Sequence, residues 1–267
     1  MNRGLWLKIW REYRLVFSLL LIGIFVFELI VSAVLPSFFE ESAAQMLSHP
    51  FIRNILTALL GSEIGDKLSP QALLTAAWVH PVLLSLLWAH LIVFCTRMPV
   101  AEIDRGTADL WFALPVTRMT HYLTESFGCL LTGLLLLLAA LAGHLLGSGD
   151  QHAPLPSLLL VVTNLYALYI ATAGFAYLCS TLTSRRSRAI GLIFAAVLFS
   201  FFLSFLVPFW PPAKHVAFLG LLHYYRPLQV IAHHQAPTAD ILILLGLALL
   251  FWLLGARALR HRDLATL

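Results

Sequence analysis

Residues 96–120 read TRMPVAEIDRGTADLWFALPVTRMT and form a short polar island between two long apolar runs. Five side chains in this island recur at steps of three and four, which is the spacing of one helical face. They are Ile103, Thr107, Leu110, Trp111 and Leu114, with Thr107 contributing its methyl group. Arg105 and Asp109 lie four positions apart on another face, close enough to pair. The pattern predicts a short amphipathic helix over about 101–114.

Residues at both ends of this predicted helix support its boundaries. Glu102 and Asp104 lie in its first turn, where the helix dipole favours negative charge. Pro115 predicts the point at which the helix stops. Spacing alone is equally typical of a loop helix that lies on the lipid headgroups.

The composition places the chain in a membrane. Hydrophobic residues make up 60% of the 267 residues and charged residues only 11%, whereas soluble domains carry about 25% charged residues. The net charge of +4 is too small to favour nucleic acid as a partner, so the expected surroundings are a lipid bilayer. The cysteines, Cys95, Cys129 and Cys179, lie in or beside apolar runs, which favours buried or lipid-facing thiols over a disulfide framework.

Six apolar stretches predict membrane-spanning helices, so the expected fold is an all-α integral membrane protein. They cover about residues 15–35, 72–94, 122–146, 158–182, 190–207 and 241–256. Three prolines at positions 208, 211 and 212 interrupt the pattern before the last span. The apolar pieces that follow, 216–222 and 228–232, are too short to cross and predict short outer or re-entrant helices. Four histidines lie nearby without a cysteine or carboxylate cluster, so no metal site is expected.

The first residues of the chain have an amphipathic pattern of their own. Leu5, Trp6, Ile9, Trp10 and Tyr13 share one helical face, and charged residues take much of the rest. Tryptophans at this position are typical of a separate interfacial helix at headgroup depth. The alternative is that these residues are the first turns of the first span.

Three polar side chains inside predicted spans are candidates for a transport path. Glu28 is a carboxylate at membrane depth, which usually faces protein or a water-filled cavity, although a neutral carboxyl group near the outer interface is the alternative. Glu125 lies one turn into the third span, where it can reach the interface or pair with Arg118. Asn164 can line a path or hold two helices together.

The basic residues predict the orientation. When they are sorted by the six-span layout, thirteen of the 17 fall on the side that holds both termini and the polar island, and four fall on the other. Short loops rich in Arg and Lys stay in the cytoplasm. The sequence therefore predicts cytoplasmic termini in a multi-pass protein of the plasma (inner) membrane.

The string EIDRGTADLWFALPVTR, residues 102–118, resembles the signature of permease subunits of type-2 ABC exporters. The resemblance implies a single permease domain over 1–267, in which the helix at about 101–114 is a cytoplasmic coupling helix that docks on a separate ATPase subunit. It implies an interfacial helix at the N-terminus and short outer helices before the last span. It also implies pairing with a second copy or a related permease.

The same resemblance assigns roles to the residues of the island. Leu110, Trp111 and Leu114 would supply the apolar docking face, and Glu102, Asp104 and Arg105 would set its register by charge. Gly106 would allow close backbone approach. Thr107 and Pro115 are the remaining residues that the resemblance places in the ATPase-coupling segment.

The motifs that the chain lacks narrow the function. No GxxxxGK[ST] phosphate loop occurs, so ATP and Mg are expected on the partner ATPase and no cofactor is expected on this chain. No GxSxG or HExxH occurs either, which disfavours an enzyme. The alternatives left open are a non-transporting sensor or assembly subunit of an ABC-like complex and, with less support, a membrane enzyme that uses Glu28, Glu125 or the outer histidines. The apolar composition does not select a substrate.

Overall fold

The computed structural model describes residues 3–40, 70–108 and 115–262, and all regular structure in those ranges is helical. The α-helices there are α1 (Arg3–Glu40), α2 (Pro70–Trp78), α3 (Pro81–Cys95), α4 (Val100–Asp104), α5 (Arg118–Ser148), α6 (Leu155–Leu182), α7 (Arg186–Leu206), α8 (Pro227–His233) and α9 (Thr238–His261). Short 3₁₀ turns lie at Gly149–Gln151, Pro211–His215, Ala217–Leu219 and Leu221–Tyr224. The prediction of an all-α fold is confirmed for these ranges.

Within the described ranges, six helical stretches are long and apolar enough to cross a membrane. They are Arg3–Leu35, Leu74–Cys95, Arg118–Gln151, Leu155–Leu182, Arg186–Leu206 and Thr238–His261. Each overlaps one predicted span, so the chain has the architecture of a multi-pass membrane protein. The last span is longer than the sequence predicted, because the basic residues after Ala256 continue the helix to His261.

The expectation of a separate interfacial helix at the N-terminus is wrong, because α1 runs without a break from Arg3 to Glu40. Its buried side chains recur at steps of four along its length, with one step of seven. They are Leu5, Ile9, Tyr13, Phe17, Ile24, Glu28 and Ser32. One continuous stripe packs on the rest of the bundle, and no glycine or proline interrupts it between Leu5 and Phe17. The tryptophan-bearing residues are therefore the first turns of the first span.

The second predicted span is broken into α2 and α3. Pro81 begins α3, and His80 before it has extended backbone (ψ 132°) and accepts a hydrogen bond from the Val82 amide at 3.2 Å. Proline lacks an amide donor and disfavours helical geometry in the preceding residue. The helix therefore ends at Trp78, and the next one begins at Pro81 after two intervening residues.

Two helix pairs form the core of the bundle. α1 packs along α5, and α9 packs along α6. Gly143 and Gly147 let α5 approach α1 closely, since a Cβ at either position would overlap a backbone carbonyl oxygen of α1, that of Phe25 or Leu29. This GxxxG spacing is typical of close helix pairs in membranes.

The bundle has two distinct ends. At the first, which we call the segment end, residues 96–108 meet the start of α1 and the end of α9. Arg262 after α9 donates to the Ser184 hydroxyl at 2.8 Å, and Arg118 donates to the Arg262 carbonyl at 2.8 Å. Both ends of the described chain therefore lie with the polar island.

At the other end, which we call the loop end, the 3₁₀ turns and α8 cover the bundle. The predicted short helices before the last span are present there, and they reach inward. Asn164 donates to the Tyr224 carbonyl at 3.1 Å and accepts from the Arg226 amide at 3.3 Å. Asn164 lies about two and a half turns into α6, so this part of the chain enters the bundle to that depth.

Candidate functional site

Helix α4 lies near the start of the polar island and ends in a turn after Asp104. Gly106 has φ +71°, and its amide donates to the Ile103 carbonyl at 3.1 Å. The continuous helix predicted over 101–114 is therefore interrupted, because this left-handed backbone ends a helix rather than extending it. Glycine adopts the conformation at little cost, which explains its presence here.

The predicted docking face lies outside the described residues, as does the predicted partner of Arg105. These residues are Asp109, Leu110, Trp111 and Leu114. Pro115 is described and lies exposed in a bend. Two residues later Thr117 caps α5, because its hydroxyl accepts a hydrogen bond from the Thr120 amide at 3.1 Å.

Glu102 points into the protein. Its side chain is only 8% exposed, and Oε1 lies 3.3 Å from Nζ of Lys8 at the start of α1. Its other carboxylate oxygen accepts a hydrogen bond from the Thr107 hydroxyl. The Thr107 amide also donates to the Glu102 carbonyl at 2.9 Å. Thr107, predicted as part of an apolar stripe, thus acts as a polar partner of Glu102, and Glu102 is engaged within the chain.

Asp104 connects the polar island to α7. Its Oδ2 accepts a hydrogen bond from the amide of Arg186, the first residue of that helix, at 3.2 Å. The first amides of a helix have no partner within it, and the dipole there favours a carboxylate. Arg105 and Gly106, beside Asp104, are exposed.

Arg97 binds two carboxylates from two spans. Its Nη2 lies 2.6 Å from Oε2 of Glu125 on α5, and its Nη1 lies 2.8 Å from Oε2 of Glu12 on α1. The guanidinium also lies over the Phe94 ring, 5.2 Å from the centroid. Burial alone would lower the pKa of Arg97, but the charges of Glu125 and Glu12 outweigh it and raise the pKa above its ordinary value.

Glu125 therefore has a different partner from the one the sequence suggested. Its carboxylate pairs with Arg97, whose side chain extends from the turn after α3. Arg118 instead donates to the main-chain carbonyls of Arg262 and Leu259 at the end of α9. Arg97 is the partner of Glu125 because the polar island starts beside α5. The spacing of residues in the sequence does not show that these two segments are neighbours.

A third set of hydrogen bonds fixes the start of the polar island to α6 and α7. The Ser180 hydroxyl donates to the Met98 carbonyl at 3.3 Å and accepts from the Val100 amide at 3.4 Å. Arg186 Nε donates to the Thr96 hydroxyl at 3.3 Å. Residues 96–108 are thus joined by polar contacts to α1, α5, α6 and α7. A displacement of this segment would act on four of the six candidate spans.

The structure does not bring the three transport-path candidates together. Glu125 lies at the segment end, in the Arg97 ion pair. Asn164 has its amide satisfied by the backbone at Tyr224 and Arg226, so it holds the chain before α8 against α6. Glu28 is fully buried between α1 and α5, and neither of its carboxylate oxygens has a hydrogen-bond partner in the described ranges.

Sequence reasoning missed Arg97, Lys8 and Ser180, all of which hold the polar island. Their partners lie 28 to 94 positions away, so no periodic pattern reveals them. The close packing of α1 and α5 had a readable signal, namely the GxxxG spacing of Gly143 and Gly147.

The site holds charges, hydrogen bonds and a surface turn, an arrangement suited to transmitting a mechanical displacement between a surface segment and the spans behind it. Comparisons of the chain with family models, with curated proteins and with solved structures found no match.

Proposed function

We propose that this chain is the membrane-spanning permease subunit of an ATP-driven ABC exporter. The observation that carries the proposal is the attachment of residues 96–108 to α1, α5, α6 and α7. A segment that receives force from a partner must be connected to the helices it moves. Here the ion pairs to α1 and α5 are buried or half-buried, whereas the contact of Asp104 with α7 and the turn beyond it are exposed.

The sequence of this segment supports the same proposal. The string over 102–118 resembles the coupling region of type-2 ABC exporter permeases. The chain has no phosphate-binding loop of its own, so ATP and Mg belong to a separate ATPase subunit. A second copy of the chain, or a related permease, completes the transporter.

The charge distribution supports a cytoplasmic position for the segment end. Arg97, Arg105, Arg118 and the basic residues near both termini belong to this end, and positively charged short loops stay in the cytoplasm. This orientation faces the turn at Gly106 toward a cytoplasmic ATPase.

In the proposed mechanism, closure of two ATPase subunits around ATP displaces the segment as a rigid element. Arg97 passes the displacement to Glu12 on α1 and Glu125 on α5, while Asp104 passes it to the start of α7. Nucleotide drives the change only if it binds one arrangement of the complex better than the other. Leu110, Trp111 and Leu114 form the apolar contact with the ATPase.

Affinity purification from native membranes in mild detergent, followed by mass spectrometry, tests the proposal. Wild type should retain an ATPase of the Walker type, and Leu110→Glu should lose it because a charge then enters the apolar contact. The matched control is Leu219→Glu, the same change at an exposed leucine of the loop end that lies outside the six candidate spans. Absence of an ATPase from the wild-type sample overturns the proposal. Equal retention of the ATPase by both variants overturns the assigned docking face.

A second measurement separates docking from coupling. ATP hydrolysis and transport are measured in vesicles that contain the purified complex. Leu110→Glu should uncouple hydrolysis from transport wherever residual complex forms, and Leu219→Glu should leave the ratio unchanged. Equal ratios in both variants would show that the face around Leu110 does not transmit force.

A further inference from the structure

A buried polar cluster lies between α1 and α5, away from the 96–108 segment. Glu28 of α1 is 0% exposed, and its Oε2 lies 3.8 Å from Nδ1 of His144 on α5. That nitrogen is hydrogen-bonded to the Ser32 hydroxyl at 2.8 Å. The Trp78 ring lies against the imidazole, with centroids 5.2 Å apart.

Four polar atoms of this cluster have no hydrogen-bond partner among the residues that the structure describes. They are both carboxylate oxygens of Glu28, Nε2 of His144 and Nε1 of Trp78. Buried polar groups are normally paired, and an ionised carboxylate without donors in a low-dielectric interior is strongly disfavoured. The described side chains therefore do not satisfy the hydrogen-bonding groups of this cluster.

Few charged and titratable groups of the described residues lie around Glu28. His144 faces it from α5, and His152, in the residues after α5, acts on His144 electrostatically. Tyr225 is near enough to interact electrostatically with Glu28, but its hydroxyl donates a hydrogen bond to the Trp78 carbonyl at 3.0 Å.

The remaining neighbours of Glu28 in the described ranges add no charge. On the α2–α3 side, His80 packs on Phe27 with centroids 5.0 Å apart. Among the described residues, Glu28 has no contact with a basic side chain other than His144. No arginine or lysine of those residues therefore holds Glu28 as a carboxylate.

The packing limits the size of any ligand. A Cβ at Gly143 would lie 3.1 Å from Cβ of Glu28, and the backbones of α1 and α5 are in contact at Gly147 as well. No group of three His, Cys, Asp or Glu side chains suited to a metal ion occurs in the part of the chain that the structure describes. A proton fits this space without moving the helices.

We propose that Glu28 and His144 form a proton-binding site whose occupancy follows the separation of α1 and α5. In the closed arrangement Glu28 is a neutral carboxylic acid. When the helices separate and water enters, its O–H bond breaks, the proton passes to water and a hydrated carboxylate remains. Closure reverses the step, so each opening releases one proton and each closing takes one up.

Infrared spectroscopy of the purified chain in lipid nanodiscs tests the site. Wild type at neutral pH should show the C=O stretching band of a protonated carboxylic acid, shifted by deuteration. Glu28→Gln should lose that band. The matched control is Glu12→Gln, which should retain it, because Glu12 is a half-exposed carboxylate paired with Arg97. A band that is absent from wild type, or unchanged in Glu28→Gln, overturns the proposal.

Two further variants keep the test decisive if Glu28→Gln fails to fold. Glu28→Asp keeps a carboxyl group and should shift the band, whereas an unshifted band would belong to another residue and overturn the assignment. Gly147→Ala pushes α1 from α5 and should weaken the neutral-pH band, while Gly23→Ala, with open space around its Cβ position, should not. Equal bands in both glycine variants would refute the link to helix separation. These readouts need no ATPase, so they stand or fall independently of the proposed transport function.

Discussion

Arg97 and Glu125 form an ion pair at 2.6 Å, with each side chain less than 15% exposed, and this pair joins the turn after α3 to the start of α5. Arg97 also holds Glu12 of α1 at 2.8 Å, but the Glu12 side chain is 44% exposed. One guanidinium thus binds a buried and a half-exposed carboxylate. The difference in exposure makes the two carboxylates a natural comparison.

Glu125→Gln should destabilise the protein more than Glu12→Gln. Removing one partner of a buried ion pair leaves an uncompensated charge, which costs about 3 kcal/mol or more, whereas a half-exposed pair contributes about 1 kcal/mol or less. Thermal unfolding in detergent should therefore show a clearly lower midpoint for Glu125→Gln. A double-mutant cycle with Arg97→Gln should give a coupling of about 1–3 kcal/mol for the buried pair. Equal effects of the two single changes would contradict the assigned roles.

The sequence was sufficient for the coarse fold because that fold depends on local hydropathy. Each of the six apolar stretches overlaps one helical stretch whose length and composition suit a membrane, and the prolines at positions 208, 211 and 212 correctly marked the short helices before the last span. The break at Pro81 was also readable from the residue itself, although the span was predicted as continuous.

The contacts of the polar island were not predictable, since they join distant positions. Lys8 and Glu102 lie 94 positions apart, and Arg97 and Glu125 lie 28 apart, so neither pair follows a helical or strand period. Tertiary packing determines where the start of α1 lies, because Leu5, Ile9 and Tyr13 are buried against the bundle and do not face headgroups.

Asp104→Ala should loosen the start of α7. The change removes the carboxylate that accepts from the Arg186 amide, a contact worth about 1 kcal/mol by analogy with helix caps. Hydrogen exchange followed by mass spectrometry should show faster exchange in the first turn of α7. Asp104→Asn should have a smaller effect because its amide oxygen still accepts. Arg105→Ala, at the exposed neighbour, is the control, and equal exchange in all variants would show that Asp104 does not cap the helix.

Gly106→Ala should destabilise the turn by about 1 kcal/mol, since alanine is strained at φ +71°. Open space surrounds the site of the added methyl group, so the cost is conformational and no steric clash contributes. Gly106→Asn should cost less, because asparagine tolerates this backbone. Gly191→Ala in α7 is the matched control, with open space and helical backbone. Thermal unfolding midpoints compare the three, and a loss for Gly191→Ala as large as that for Gly106→Ala would rule out the conformational explanation.

Gly147→Ala should weaken the packing of α1 on α5 by about 1–3 kcal/mol, since the added methyl group overlaps the Leu29 carbonyl and the backbone must shift. Gly246→Ala in α9, with nothing near its Cβ position, should be neutral or slightly stabilising. Proteolysis of the detergent-solubilised protein reports the difference as faster cleavage of the Gly147 variant. Equal protease resistance would mean that the helices are not held as closely as the structure indicates.

The orientation can be measured with single cysteines, because the cysteines in the described ranges, Cys95, Cys129 and Cys179, are buried and should resist a membrane-impermeant maleimide. Gln151→Cys is exposed at the loop end and Arg105→Cys at the segment end. Because the basic residues concentrate near the segment end, intact cells should label Gln151→Cys, and Arg105→Cys should react only in inside-out vesicles. The reverse labelling would place the segment outside the cell, where no cytoplasmic ATPase can reach it, and would exclude the proposed coupling role whatever the sequence of the island resembles.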